Sequence, residues 1–170
     1  MQITDEPTTP FRSRSVPRSI STFLKQSLIE RGECHFVVNT VCYWAIVDSY
    51  KSSTLISAIS KCIALGFDIV YVKDADIYQL IMFNTRLRIP RNRNSILVHV
   101  GGLYDPATRK TTPPDIYTQW HPNQPYVPRH RTGAQGIYIE VNKNPFIPNQ
   151  GMGVQPGTFT ANGIICQKSI

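Results

Sequence analysis

The sequence predicts a single α+β domain: two helices packed on a mixed sheet, a basic N-terminal arm, and a long Pro-rich, largely irregular C-terminal half. Two segments repeat apolar residues at helical spacing, several short runs are rich in β-branched and aromatic residues, and nine of the thirteen prolines fall in residues 103–157. We therefore expect four parts: an extended arm (1–18), a helix and strand core (19–102), the Pro-rich segment with one strand (137–141), and a C-terminal hairpin (158–170) that completes the core.

The arm and the first helix come from contrasting patterns at the N-terminus. Residues 1–18 mix prolines and arginines without a hydrophobic period, which predicts an extended basic arm. Residues 20–31 predict a helix, which Gly32 would end. Four apolar residues of that segment share one helical face: Ile20, Phe23, Leu24 and Leu28.

The next elements alternate strand, helix and strand. Residues 34–47 are nearly free of charge and rich in β-branched and aromatic side chains, which predicts one buried strand, or two strands broken near residues 39–40. A second helix is predicted over residues 53–65, with Ser52 as its cap, and residues 67–72 predict the following strand. This order is typical of a crossover unit in which a helix lies across a sheet.

The remaining elements are more widely spaced. Residues 77–83 are apolar and fit either a strand or a buried helix, whereas residues 95–100 predict a strand. Within the Pro-rich segment, only residues 137–141 have the pattern of a strand. Near the end of the chain, Asn162-Gly163 can adopt positive φ and predicts the turn of a hairpin.

The net charge of +7 predicts an anionic partner, with RNA favoured over an anionic membrane surface. Most of the excess lies in residues 77–135, and arginine suits phosphate because its guanidinium donates two parallel hydrogen bonds. Two of the arginines, Arg86 and Arg88, are expected on one face of a strand; the alternative is a solvated loop. The candidate nucleic-acid-binding residues are Arg86, Arg88, Arg91, Arg93, Arg12, Arg14, Arg18, Arg129 and Arg131.

Aromatic residues in the Pro-rich half form a second group of candidates. Interleaved aromatic and basic residues are typical of proteins that bind single-stranded nucleic acid, and equally of an extended segment docked on a neighbouring subunit. The candidate interface or stacking residues are Trp120, Tyr117, Tyr126 and Phe146.

Motifs for catalysis or metal binding are weak. Asp74-Ala75-Asp76 follows a predicted strand and resembles the metal-binding carboxylate pair of nucleotide-sugar glycosyltransferases, but no glycine-rich phosphate loop accompanies it, so a solvated turn is preferred. Cys34 and His35 point to opposite faces of a strand and cannot pair. The histidines have no ligand spacing, so no metal and no cofactor are expected.

The four cysteines lack CxxC spacing and lie in apolar surroundings, which predicts reduced core thiols. They are Cys34, Cys42, Cys62 and Cys166. With no apolar leader and no run of about 20 apolar residues, the chain is expected to be soluble and intracellular, or part of a virion.

These observations favour a non-enzymatic structural protein that self-assembles and contacts nucleic acid, similar in build to viral coat, nucleocapsid or ribosomal proteins. The charged fraction, 17%, is below the about 25% typical of globular domains, which favours a homo-oligomer or larger assembly without a small-molecule substrate. The alternative is a peripheral membrane or matrix-type protein on anionic lipid. A small metal-dependent or cysteine-nucleophile enzyme ranks last.

Overall fold

The computed structural model describes residues 26–27, 29, 31–127 and 133–170. The predicted arm lies outside these residues. Of the helix predicted over residues 20–31, the described residues 26, 27 and 29 are helical, and the others through residue 30 lie outside the description. None of the described helices is long and apolar enough to cross a membrane.

Eight strands and two helices follow within the described chain. The strands are β1 (Phe36–Val38), β2 (Val41–Val47), β3 (Asp68–Ile69), β4 (Ser95–Asp105), β5 (Lys110–Thr112), β6 (Gln135–Asn142), β7 (Gly151–Gln155) and β8 (Gly163–Ser169). The helices are α1 (Leu55–Ala64) and α2 (Ala75–Arg86).

All eight strands belong to one mixed sheet with the order β1-β2-β8-β4-β6-β7. Strand β8 pairs antiparallel with β2 and parallel with β4, so the last strand of the chain lies in the middle of the sheet. Short β3 also pairs with β8, and β5 pairs antiparallel with the end of β4. The main core contains inward residues of α2 and of the central strands, among them Ile81, Val98, Ile139 and Ile165.

The predicted fold class is wrong in its C-terminal half. Residues 103–157 are not one long irregular segment: they complete β4 and contribute β5, β6 and β7. Each of the prolines described there lies in a connection between strands, where a missing backbone N–H breaks no ladder. The high proline content therefore reflects the loops of a sheet. The short strands β5 and β7 between these loops were not predicted because the prolines dominate the composition of the segment.

The predicted C-terminal hairpin is also wrong. Residues 158–160 are not a strand, and β8 pairs with distant strands instead. Asn162 is fully buried, and its side-chain oxygen accepts a hydrogen bond of 3.1 Å from the Leu97 N–H. Asn162 thus fixes the start of β8 against β4 rather than reversing the chain.

The apolar run at residues 77–83 belongs to α2. Its buried residues recur at helical spacing, and Asp74 caps the helix because its Oδ1 accepts the Ile77 N–H at 2.8 Å. Arg86 is therefore in the last turn of a helix, and Arg88 follows the helix, so the two do not share a strand face. The helix predicted over residues 53–65 is found as α1, with Thr54 rather than Ser52 as its cap.

The prediction of reduced thiols is wrong. Cys34 is bonded to Cys42 across the β1–β2 hairpin, and Cys62 of α1 is bonded to Cys166 of β8. The second pair is separated by 104 residues, and its Cα atoms are 5.6 Å apart. Spacing along the sequence did not reveal this pair, because the topology that places α1 against the last strand brings its members together.

Removing the bridge between α1 and β8 should lower the free energy of unfolding more than removing the other bridge. The closed loops span 104 and 8 residues, and chain entropy gives about 4.7 kcal/mol for a loop of ~100 residues and about 2.5 kcal/mol for one of ~8. Urea unfolding of Cys62→Ser/Cys166→Ser and Cys34→Ser/Cys42→Ser measures both. Thiol labelling of the purified, unreduced protein at four sites would contradict the pairing.

Acid should destabilise the fold. Burial and then the charge of Arg88 lower the pKa of His35 from 6.5 to about 4, and burial lowers the pKa of His99. As the pH falls from about 6.5 to about 4, the unfolded chain binds protons that the folded chain excludes, so the free energy of unfolding decreases. His35→Gln should make this decrease shallower without abolishing it, because His99 remains. Urea midpoints measured across this range test the slope, and an unchanged slope would contradict the role of His35.

Candidate functional site

A groove lies between the β4–β5 turn (residues 105–110) and the Pro-rich loop (residues 113–127). It consists of two adjoining cavities of about 530 and 390 Å³, volumes within the range of small-molecule sites. Both cavities share Tyr104, Arg109 and Pro125. The other lining residues are Pro106, Lys110, Thr111, Pro114, Ile116, Thr118, Trp120, Tyr126 and Val127.

The Pro-rich loop is held in place by backbone hydrogen bonds to β7 and to the segment that follows β3. The Tyr117 N–H donates to the Val72 carbonyl at 2.9 Å, the His121 N–H donates to the Met152 carbonyl at 2.7 Å, and the Met152 N–H donates to Gln119 at 2.8 Å. The side-chain oxygen of Gln124 accepts the N–H groups of Tyr126 and Val154. The loop therefore forms one wall of a pre-formed groove.

A glycine in β4 allows the loop to sit close to the sheet. Gly102 has φ +111°, and a Cβ atom there would collide with the Ile116 side chain, which lines the groove. The same Cβ would come within 3.3 Å of Ile137 in the core. The absence of a side chain at this position thus sets the depth at which Ile116 packs.

Aromatic rings form part of the wall and of the rim. Tyr104 is buried and meets the half-buried Trp120 edge to face, with ring centroids 5.8 Å apart. Tyr126 stands at the rim with 66% of its surface exposed. The groove therefore presents one fixed aromatic pair and one accessible ring to a ligand.

The polar side of the groove is cationic. Arg109 and Lys110 are both exposed and line it together with Thr111 and Thr118. The turn that carries Arg109 is braced by Asp105, whose carboxylate accepts hydrogen bonds of 2.9 Å from the Ala107 N–H and the Thr108 hydroxyl. These bonds lower the pKa of Asp105. Its carboxylate is thus directed into its own turn.

Three of the arginines predicted to bind nucleic acid form hydrogen bonds within the protein instead. Arg86 donates to the Asn142 carbonyl at 2.8 Å and to Gln150 at 3.0 Å. Arg88 donates to the Asn84 carbonyl at 2.7 Å, and Arg93 donates to Ser49 at 3.0 Å. Arg91 is exposed. The remaining predicted residues, Arg12, Arg14, Arg18, Arg129 and Arg131, lie outside the described residues.

The predicted aromatic candidates separate into two groups. Tyr117 packs on Tyr78 with centroids 5.8 Å apart, and Trp120 packs on Tyr104, so both rings stabilise the loop. Tyr126 lies at the groove, and Phe146 is 90% exposed in the β6–β7 loop. The structure thus brings Trp120 and Tyr126 together at one groove and places Phe146 outside its lining.

The residues considered for catalysis have structural contacts. Asp74 caps α2. The four cysteines form two disulfides, so none of them is a free thiol that a histidine could activate. The Nδ1 atom of His35 accepts the Ala45 N–H at 2.9 Å, and its ring stacks on Trp44. Within residues 31–127 and 133–170, no three His, Cys, Asp or Glu side chains are grouped so that they could hold a metal ion.

Another cavity, of about 310 Å³, has a different chemistry. It is lined by the Cys34–Cys42 bridge and by apolar residues that include Trp44, Leu65 and Phe67. Such a lining suits apolar groups better than hydroxyl groups, so the groove is the better site for a polar ligand.

Sequence reasoning missed Tyr104, Arg109 and Pro125 as site residues. Arg109 was included in the charge count, but nothing in its local sequence showed that the β4–β5 turn would face the Pro-rich loop. The available signal was the stretch TQWHPNQPYVP, in which aromatic residues and prolines alternate with amides over residues 118–128.

Comparison with known proteins identifies the fold. No protein-family model and no curated protein matches the sequence. Human lithostathine is a solved structure with TM-score 0.57 and 15% identity, covering 79% of this chain and 87% of its own. The C-type lectin domain of murine dendritic cell inhibitory receptor 2, in complex with N-glycan, has TM-score 0.55 and 20% identity, with coverages of 77% and 92%. The SPL-1 complex with GlcNAc has TM-score 0.54 and 14% identity, with coverages of 78% and 90%.

The chain therefore has a C-type lectin-like fold, and this finding corrects the functional prediction. A self-assembling coat or nucleocapsid-like protein with RNA or anionic lipid as its partner is wrong: the similar solved structures include carbohydrate-recognition domains with bound sugars. The physical reason for the error is that the net charge does not show which arginines already form hydrogen bonds within the fold. Arg86, Arg88 and Arg93 are engaged by the chain's own carbonyl groups.

Substituting Gly102 with alanine should destabilise the groove. The added Cβ meets Ile116 and Ile137 at a positive φ, and overpacking of this kind costs about 1–3 kcal/mol. Gly157→Ala is the matched control, because a Cβ there meets nothing within 4 Å. Urea unfolding and the indole NMR signal of Trp120 report stability and groove structure. Equal effects of the two substitutions would contradict the packing role of Gly102.

Proposed function

We propose that the protein is a non-enzymatic carbohydrate-binding domain and that the groove is its binding site. The supporting observation is that a fold shared with domains solved with GlcNAc or N-glycan carries here a pre-formed groove with both aromatic and hydrogen-bonding side chains. A sugar ring has an apolar face and a polar edge, and the groove offers a complementary surface for each.

Each side of the groove would make a different contact with the sugar. The exposed ring of Tyr126 offers a flat apolar surface at low cost in conformational entropy, and Trp120 is held in position by Tyr104. The hydroxyl groups of Thr111 and Thr118 can donate to or accept from sugar hydroxyls. Because the loop is already bound to the sheet, little ordering free energy is lost on binding.

Metal ions have no part in this binding mode. A calcium ion takes six to eight oxygen ligands, mainly carboxylates. The described groove residues instead include Arg109 and Lys110, whose charges would repel a cation, and the described chain has no group of three metal-binding side chains. The residues present therefore do not fit a calcium ion at the groove.

The two disulfides support an oxidising compartment as the location of the protein under this proposal. Cystines persist in secreted and extracellular proteins and are rare where glutathione keeps thiols reduced. An extracellular location would replace the intracellular one expected from the sequence. Glycans are abundant outside the cell as ligands for a binding domain.

Tyr126→Ala should weaken sugar binding by about tenfold, since an aromatic contact of this kind contributes about 0.5–1.5 kcal/mol beyond its buried area. Phe146→Ala is the matched control, because Phe146 is exposed and outside the groove lining. Isothermal titration with GlcNAc oligosaccharides, mannose-rich N-glycans and glucuronic acid provides the measurement, with each titration repeated in EDTA.

Binding should persist in EDTA. Equal losses for Tyr126→Ala and Phe146→Ala would contradict the groove as the site. The absence of binding to neutral and acidic sugars alike would contradict the carbohydrate-binding function, and loss of binding in EDTA would contradict the metal-free mode.

A further inference from the structure

We infer that the groove selects an anionic saccharide and that Arg109 recognises its sulfate or carboxylate group. This inference rests on the proposed carbohydrate-binding function and specifies the class of sugar. Arg109 is one of three residues that line both cavities, so it lies at their junction. A charged group there can contact a ligand in either cavity.

Among the described residues, no carboxylate neutralises Arg109. The Asp105 carboxylate accepts hydrogen bonds from Ala107 and Thr108 within its own turn. Asp115 lies between two lining residues but does not itself line either cavity. The ion pairs of the described chain are Arg31–Glu33 and Lys61–Asp48, with His121 beside Glu140 as a third when the histidine is protonated, and none of them involves Arg109 or Lys110.

Arg109 differs in this respect from several other cations of the described chain. Arg86, Arg88 and Arg93 donate to backbone carbonyl groups, and Lys143 donates to the Arg91 carbonyl at 3.0 Å. In the described chain, no hydrogen bond or ion pair occupies the guanidinium of Arg109. Its donors therefore remain available to a ligand in the groove.

The backbone around Arg109 is fixed. Its φ is +57°, a left-handed conformation that is uncommon for residues other than glycine, and its N–H donates to the Asp105 carbonyl at 2.8 Å. The Asp105 side chain closes the same turn. The start of the Arg109 side chain is thus set before a ligand arrives, which reduces the entropy lost when the guanidinium pairs with an anion.

The chemistry of the surrounding groove matches an acidic sugar. A guanidinium donates two parallel hydrogen bonds to sulfate or carboxylate oxygens, and Lys110 adds a second positive charge beside it. The ring of Tyr126 lies at the rim of the cavity that Arg109 lines, so it can contact the sugar while Arg109 holds the charged substituent. A neutral sugar would leave both cations without a partner.

The test compares four small probes on the full chain by isothermal titration: GlcNAc, GlcNAc 6-sulfate, glucose and glucuronic acid. Wild-type protein should bind the two acidic sugars more tightly than their neutral counterparts, and added salt should reduce that preference. Arg109→Gln should weaken binding of the preferred acidic sugar by about 10- to 100-fold, the loss expected for a hydrogen bond to a charged group, and should thereby abolish the preference over the neutral counterpart.

Arg91→Gln is the matched control, because it removes the same charge from an exposed residue outside the groove lining. It should leave all four affinities unchanged. If Arg109→Gln does not fold, Arg109→Lys keeps the charge and removes the two-pronged donor geometry. Selective loss of acidic-sugar affinity in that variant supports the inference, and unchanged affinity contradicts it.

The outcomes separate the inference from the function on which it rests. Neutral sugars bound as tightly as acidic ones, with no effect of Arg109→Gln, would overturn the inference and leave carbohydrate binding intact. Equal losses in Arg91→Gln and Arg109→Gln would overturn it in favour of a general charge effect. No binding of any probe would overturn both. A preference for GlcNAc 6-sulfate or for glucuronic acid tells which anionic group Arg109 recognises.

Discussion

The pairing of β8 between β2 and β4 is the interaction on which the rest of the structure depends. Seven residue pairs join β8 to β2, whereas the parallel contact with β4 is short and begins at Gly163. On one side lie the β1–β2 hairpin and α1, which is bonded to β8 through Cys62 and Cys166. On the other side lies the β4-β6-β7 half that carries the groove. One strand thus converts two partial sheets into a single platform for the Pro-rich loop.

The groove inherits its rigidity from that platform. Tyr117 connects the loop to the segment after β3, Met152 connects it to β7, and Ile116 packs against the position that Gly102 leaves open. A loop fixed in this way can present Tyr126 and Arg109 with little rearrangement on binding. The arrangement is common in binding proteins, where a regular scaffold supports irregular segments that carry the contacts.

Local patterns predicted the elements that local forces determine. The apolar spacing of α1 and the β-branched residues of β2, β4 and β6 were visible in the sequence because burial of one face requires them. The bond between Cys62 and Cys166, the central place of β8, and the approach of the Arg109 turn to Pro125 depend on contacts between distant residues. Trp120 and Tyr126 were predicted as candidates, but the other groove residues Tyr104 and Arg109 were not. The local sequence around Tyr104 and Arg109 does not indicate which distant residues they contact.

The hydrogen bonds that fix the Pro-rich loop also protect the sheet from other chains. Strand β7 is the last in the sheet order, and a free edge offers unpaired N–H and C=O groups to any extended peptide. Here the outward groups of Met152 are paired with Gln119 and His121, and the Val154 N–H is paired with Gln124. The segment that forms the groove therefore acts as a cover over an aggregation-prone edge. Sequence changes that adapt the loop to a new ligand are constrained by this second task, because a loosened loop would open β7 to intermolecular strand addition.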